Sequence, residues 1–291
     1  MPRRHVLLAI AVAAAWGFNF VVIEWGLGET PPLFLCALRF CLAALAVAFV
    51  PRPQLPWRLI AAVGVTLGVV KFGLLFTGMD VGVTAGLASL VLQCQVPFTV
   101  ILAAIVLGER IGPRGIAGLA AAAGGFAVIG VSRGGGVTVT GLVLVVAAGA
   151  AWAVANMMMK RASGADPIAF IAWMSLVPIV PLLALSIATE HPSLADLSGR
   201  ALPAAAYIAF VSTLGGFAAW SWLMRVHDAG RVASFALLVP IFGMTFGALL
   251  LGERITAAHV AGAGLVLAGL ALVLAPRRRA AVRAEPVPAP T

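Results

Sequence analysis

The chain is short of charge and of cysteine, and each shortage excludes something. Charged residues make up only 10% of its 291 positions. A soluble domain has about 25%, so a solvated surface of ordinary size cannot be built. Three cysteines, Cys36, Cys41 and Cys94, form an odd set inside apolar segments with no metal-ligand spacing, which rules out a disulfide framework and a zinc site and leaves packing. The two lysines, Lys71 and Lys160, do not sit in a phosphate-binding G-x-x-x-x-G-K-[ST] loop, and no G-x-G-x-x-G follows a strand. The four histidines, His5, His191, His227 and His259, are scattered, and Asp80 and Asp228 fall on opposite sides of the predicted bundle, so no acid/base constellation for an enzyme assembles. The sequence calls for no cofactor and no metal.

What remains is apolar. Hydrophobic residues are 62% of the chain and the mean hydropathy is +1.09, against roughly half apolar content in a soluble domain. A spanning helix needs about 20 mostly apolar residues. Ten such runs fit: 5–25, 32–50, 57–78, 84–107, 114–132, 139–159, 167–188, 201–225, 231–251 and 257–275. Breakers separate them, among them Pro31 and Pro32, Pro51 to Pro56, Gly112 and Pro113, Gly134 to Gly136, Pro167 and Pro192. The first run follows Arg3 and Arg4 like a secretory signal but continues to Ile23 without a cleavage site, so it reads as a membrane helix. The basic, then proline- and alanine-rich tail 276–291 reads as disordered and cytoplasmic.

The net charge of +9 reads as topology rather than nucleic-acid binding, because the basic residues lie almost entirely between apolar runs. With a cytoplasmic N-terminus, that side collects Arg3, Arg4, Arg52, Arg58, Arg110, Arg114, Lys160, Arg161, Arg225, Arg231, Arg277, Arg278, Arg279 and Arg283. The other side holds Arg133, Arg200 and Arg254. Fourteen against three places both termini in the cytoplasm of a bacterial-type inner membrane.

An internal repeat sets the architecture. Leu107-Gly108-Glu109-Arg110-Ile111 returns as Leu251-Gly252-Glu253-Arg254-Ile255, each after an apolar run holding one proline, Pro97 or Pro240. Gly118 and Gly125 return as Gly262 and Gly269. The copies are separated by five runs, an odd number, so they are inverted about an axis in the membrane plane. The fold class is therefore an all-α integral membrane protein of ten transmembrane helices in two inverted five-helix repeats, residues 1–132 and 139–275.

These motifs resemble the drug/metabolite transporter superfamily of two EamA domains, over the whole span from the first run to the tenth. The resemblance rests on A-W-G-F-N-F-V-V from Ala15, A-L-R-F from Ala37, T-A-G-L-A-S-L-V-L-Q from Thr84, L-G-E-R-I twice, and L-V-P-I from Leu238. Glu24 and Lys71 depart from the pattern of EamA-type amino acid exporters, where a lysine and a glutamine are expected. The resemblance implies a secondary exporter of neutral or apolar amino acids or related metabolites (threonine, methionine, cysteine-like) working by alternating access. Aromatic amino acids or drug-like compounds are the alternative cargo, and an enzyme on lipid-linked substrates the non-transport alternative. The implied partners are the small-molecule substrate and the bilayer, without nucleic acid, in a monomer or homodimer.

Candidate site residues follow from polarity at depth. A charge at the bilayer centre costs about 2.5–3.5 kcal/mol on insertion scales and needs a partner or a cavity. Lys71, midway along the third run, reads either as an anchor for a substrate carboxylate or as a structural lysine bonded to helix carbonyls. Arg39, with Glu24 within possible reach, reads as structural charge. Trp16 with Asn19 and Trp152 with Asn156 each share a helical face, and lining and packing readings both stand. In the fourth run Ser89, Gln93 and Pro97 form one stripe while Gln95 points elsewhere. Pro97 frees the Gln93 carbonyl and Pro240 makes the matching break, which suggests gating kinks. Trp220 joins the lining candidates. The Glu109-Arg110 and Glu253-Arg254 pairs read as helix ends and register marks. The small-residue runs around Gly118 and Gly262 suit close packing within the bundle or in a dimer. Without an acid at mid-depth, transport is expected to run down the substrate gradient with weak or no proton coupling.

Overall fold

The computed structural model describes residues 1–131, 137–162, 164–197 and 199–274; the Gly134–Gly136 run and the 276–291 tail lie outside the described residues. Among the described residues all regular structure is helical. Nine helices among the described residues are long and apolar enough to cross a bilayer: α1 (Arg3–Leu27), α3 (Trp57–Asp80), α4 (Ala85–Leu107), α5 (Pro113–Val131), α6 (Val139–Met159), α7 (Pro167–Thr189), α8 (Ala201–Val226), α9 (Gly230–Leu251) and α10 (Ala257–Leu274). A tenth apolar helix, α2 (Pro32–Ala48), is shorter. It ends in a 3₁₀ turn, Leu45–Ala48, ahead of Pro51 and Pro53, which cannot continue a helix.

Helix α7 breaks at residues 176–178, and four other helices leave α geometry part-way in matching places. Helices α3 and α8 each carry a π-helical segment, Gly64–Lys71 and Tyr207–Gly215. Helices α4 and α9 each carry a 3₁₀ turn, Leu92–Cys94 and Ser234–Leu237, a few residues before Pro97 and Pro240. A proline has no N–H for the carbonyl four residues back, so Gln93 and Ala236 sit where the α-helical ladder is open. Helices α4 and α9 then end alike, on Gly108 (φ 66°) and Gly252 (φ 68°) in the left-handed region. The glycine of L-G-E-R-I is thus a helix stop that a residue with a Cβ would adopt only with strain.

The small-residue helices pack on each other. A Cβ on Gly118 would stand 2.6 Å from the Gly269 carbonyl, and one on Gly125 would stand 2.7 Å from that of Gly262. The α5–α10 seam is therefore made inside the bundle, backbone against backbone. Around the centre, α1 lies along α9 and α8, while α6 lies along α3 and the C-terminal half of α4. The single tyrosine, Tyr207, donates to the Ala15 carbonyl at 2.9 Å and ties α8 to α1.

Candidate substrate site

Lys71 ends the π segment of α3 and is buried at 4% exposure. Its ammonium lies 3.2 Å from the Phe72 ring centroid and 4.7 Å from that of Trp152 on α6. Arg39 on α2, 1% exposed, places its guanidinium 4.0 Å from the same Phe72 ring and 4.2 Å from Phe40. Its Nη2 donates to Thr213 Oγ1 at 3.1 Å, inside the π segment of α8, whereas Nε and Nη1 have no hydrogen-bond partner. Among the described residues neither cation has a carboxylate in ion-pair range, whereas Lys160–Glu109 and Arg200–Glu29 pair near helix ends. Two buried cations sharing one aromatic ring, with unfilled donors, make a local excess of positive charge that aromatic faces offset only in part.

One turn along α6 from Trp152, Asn156 Nδ2 donates to Gln95 Oε1 at 2.9 Å and to Thr99 Oγ1 at 3.2 Å. The amide that meets Asn156 is thus Gln95 rather than Gln93, which is buried within the 3₁₀ turn. Gln95 lies off the Ser89–Gln93–Pro97 stripe and shares the Asn156-facing side of α4 with Thr99, four residues on. Ser89 turns back to the Gly86 carbonyl at 2.6 Å.

Trp16 belongs to a different wall. Its indole donates to the Ser212 carbonyl at 2.9 Å and its ring lies 5.0 Å from Trp220 and 5.4 Å from Phe217. Among the described residues no ring contact joins Trp16 to Trp152; the α8 π segment links the two groups, with Ser212 under Trp16 and Thr213 under Arg39. Asn19 is buried with its Oδ1 unpartnered.

The expected reach of Glu24 to Arg39 is corrected. Arg39 faces α3 and α8, whereas Glu24 opens into a separate cavity of about 750 Å³ lined also by Thr84, Gly86, Leu90, Glu253 and His259. Its Oε2 is buried there without a partner. The L-G-E-R-I glutamates are likewise more than register marks. Glu253 accepts from the Gly86 backbone N–H at 3.1 and 3.2 Å, across the bundle at the start of α4, while the exposed Glu109 pairs with Lys160 at 3.3 Å. Burial pushes the Glu253 carboxyl above the usual carboxylate range, and hydrogen bonds from Gly86, Thr84 and Ala85 pull it back. Nothing in the local sequence announces this contact, because its two ends are 167 residues apart.

The model of the EamA-like transporter family matches residues 3–131 and again 139–275. The chain belongs to the EamA-like transporter family. It is a multi-pass membrane transporter and not an enzyme. This EamA-like chain is similar to a probable amino-acid metabolite efflux pump of Escherichia coli strain K12 and to its counterpart in Salmonella typhimurium, each 38% identical over 93% of this chain and 94% of theirs. A probable terminal-alkyne amino-acid exporter of Streptantibioticus cattleyicolor is 30% identical over 93% of both chains. A solved structure at 18% identity, covering 94% of this chain and 96% of its own with a TM-score of 0.63, shares the fold.

Proposed function

We propose that the chain is a secondary carrier that exports neutral amino acids across a bacterial-type inner membrane by alternating access, with both termini cytoplasmic. The observation that carries this reading is Lys71, an ammonium buried against Phe72 and Trp152 with no carboxylate partner among the described residues. It is the group that a substrate carboxylate would complete. Trp152 offers an apolar wall, and the Asn156–Gln95–Thr99 network one turn away can rearrange its donors and acceptors around a substrate ammonium. The amino-acid pumps and exporter named above support the substrate class. Specificity follows from charge: a zwitterion with a small or medium neutral side chain, such as threonine, methionine or cysteine, fits, whereas a lysine or arginine side chain meets Lys71 and Arg39.

The transport plan is two inverted five-helix repeats, with α2 as the tenth span. The matched π segments of α3 and α8 and the matched 3₁₀ turns of α4 and α9 support it. The α5–α10 seam adds a two-fold pattern: Gly118 meets Gly269 and Gly125 meets Gly262, so each member of one copy touches the other member of the second. Energy comes from the substrate gradient, because among the described residues no acid is in ion-pair range of Lys71. The test is counterflow in proteoliposomes across the twenty amino acids. Exchange of threonine and methionine but not lysine or arginine is expected. Exchange of lysine as readily as threonine would refute the reading, and preference for aromatic substrates would replace the cargo.

A further inference from the structure

We infer that the Glu253 carboxylate is a latch holding the outer gate shut, and that its repeat partner Glu109 cannot act as one, so the carrier rests open to the cytoplasm. The inference builds on the alternating-access reading and its orientation. The two glutamates leave the same backbone: each follows a left-handed glycine, and each N–H returns to a carbonyl in the last turn, Glu109 to Ala103 at 3.4 Å and Glu253 to Gly247 at 3.2 Å. Only their destinations differ. Glu253 crosses to the N-terminus of α4, where Thr84 makes no side-chain cap of its own and the exposed helix dipole favours a carboxylate. Glu109 stays at the surface with Lys160.

The repeat explains the difference. Counting back from the shared L-G-E-R-I, Ala103 answers to Gly247, 144 further on; Pro97 and Pro240 are 143 apart, so the helix starts are matched instead by their N-caps, Thr84 and Asp228, which sets Gly86 opposite Gly230. A mirror latch would seat Glu109 on Gly230. Asp228 already caps that helix start, accepting from Arg231 N–H at 3.0 Å, and would repel a second carboxylate. Ala103 brings a methyl where the working copy has none: a Cβ on Gly247 would lie 2.7–2.9 Å from the Glu253 carboxylate. The second copy thus has the room and the uncapped helix start that the first has lost.

Helix packing agrees. On the Glu253 side, α4 and α9 lie together, with a Gly86 Cβ position 3.0 Å from the Met244 backbone, Ser89 against Gly243, and Gly17 of α1 against Phe242 and Gly243. Toward the other side, the C-terminal half of α4 follows α6 and shares at most marginal contact with the start of α9. The pair is a V, closed at Glu253. The cavity of about 750 Å³ that holds Glu24, Glu253 and His259 is then an outer vestibule, with the latch in its wall.

The test is thiol accessibility. In a background lacking the three native cysteines, Leu90→Cys places a thiol at a fully buried position lining the vestibule. An impermeant thiol reagent is added to right-side-out and to inverted vesicles. Glu253→Ala and Gly247→Ala, which remove the latch by different routes, should each speed labelling from outside by about tenfold, the size expected for losing one charge-assisted hydrogen bond. Glu253→Gln keeps an acceptor and should stay near the parent rate, and Glu109→Ala should leave the rate unchanged. Equal rates in parent, Glu253→Ala and Gly247→Ala, each eluting as a folded species, would overturn the latch, as would an equal gain from Glu109→Ala. Labelling confined to inverted vesicles would overturn the outward assignment. Because accessibility is read without substrate, a failed amino-acid counterflow would count against the transport reading and leave the labelling contrast standing.

Discussion

Replacing Lys71 by methionine should stabilise the protein and weaken transport together. The Nζ contacts at 3.2 Å to Phe72 and 4.7 Å to Trp152 are worth about 0.5–2 kcal/mol as cation–π interactions. Against this, an unpaired buried charge costs several kcal/mol, and Arg39 on the same Phe72 ring adds repulsion. Methionine fills similar space without charge, so a net gain of about 2 kcal/mol is expected, or roughly 4–8 °C in melting temperature for a chain of this size. Transport moves the other way. A hydrogen bond from an ammonium to a substrate carboxylate is worth about 1.5–3 kcal/mol, so the half-saturation concentration for threonine should rise about 10- to 150-fold. The assay is proteoliposome counterflow alongside melting in detergent, with the decarboxylated amine of the substrate as a second cargo. The amine lacks the group that Lys71 holds, so its exchange should be no worse in the variant. A lower melting temperature, or equal losses for amino acid and amine, would show that Lys71 is structural.

Gly118→Leu should separate α5 from α10 and cost about 1–3 kcal/mol or more, because its Cβ would meet the Gly269 carbonyl at 2.6 Å. Gly124→Ala on the same helix, with nothing within 4 Å, should be neutral or stabilising by up to about 1 kcal/mol in the same melting assay. Asn156→Ala should impair exchange of amino acids while Asn156→Gln retains part of it, since the network with Gln95 and Thr99 needs an amide donor; equal activity of Asn156→Ala and wild type would remove these residues from the site. For topology, Ser193→Cys should react with an impermeant reagent from outside and Ala284→Cys only from the cytoplasmic face; reaction of both from one side would refute the inverted plan.

The helices were legible in the chain because membrane solvation is written locally: a run of about 20 apolar residues between prolines and glycines has few ways to satisfy its backbone other than as a helix. Their limits in the structure follow the predicted runs to within a few residues, with α2 ending at Ala48 rather than at 50. The family was legible for a related reason, since L-G-E-R-I, A-L-R-F and the duplicated glycines are contiguous motifs. Which polar groups meet was decided by tertiary structure. The contact of Asn156 with Gln95 joins helices 61 residues apart in sequence, and only the packing of α6 on α4 made it. The π segment of α8 put Thr213 under Arg39, a contact between residues 174 positions apart, and left Glu24 to a different cavity. The two L-G-E-R-I copies read identically and fold identically up to the glutamate Cα, yet one carboxylate caps a distant helix and the other pairs with a lysine. That divergence depends on a missing methyl at Gly247 and on the cap at Asp228, and both take effect only where separate helices come into contact.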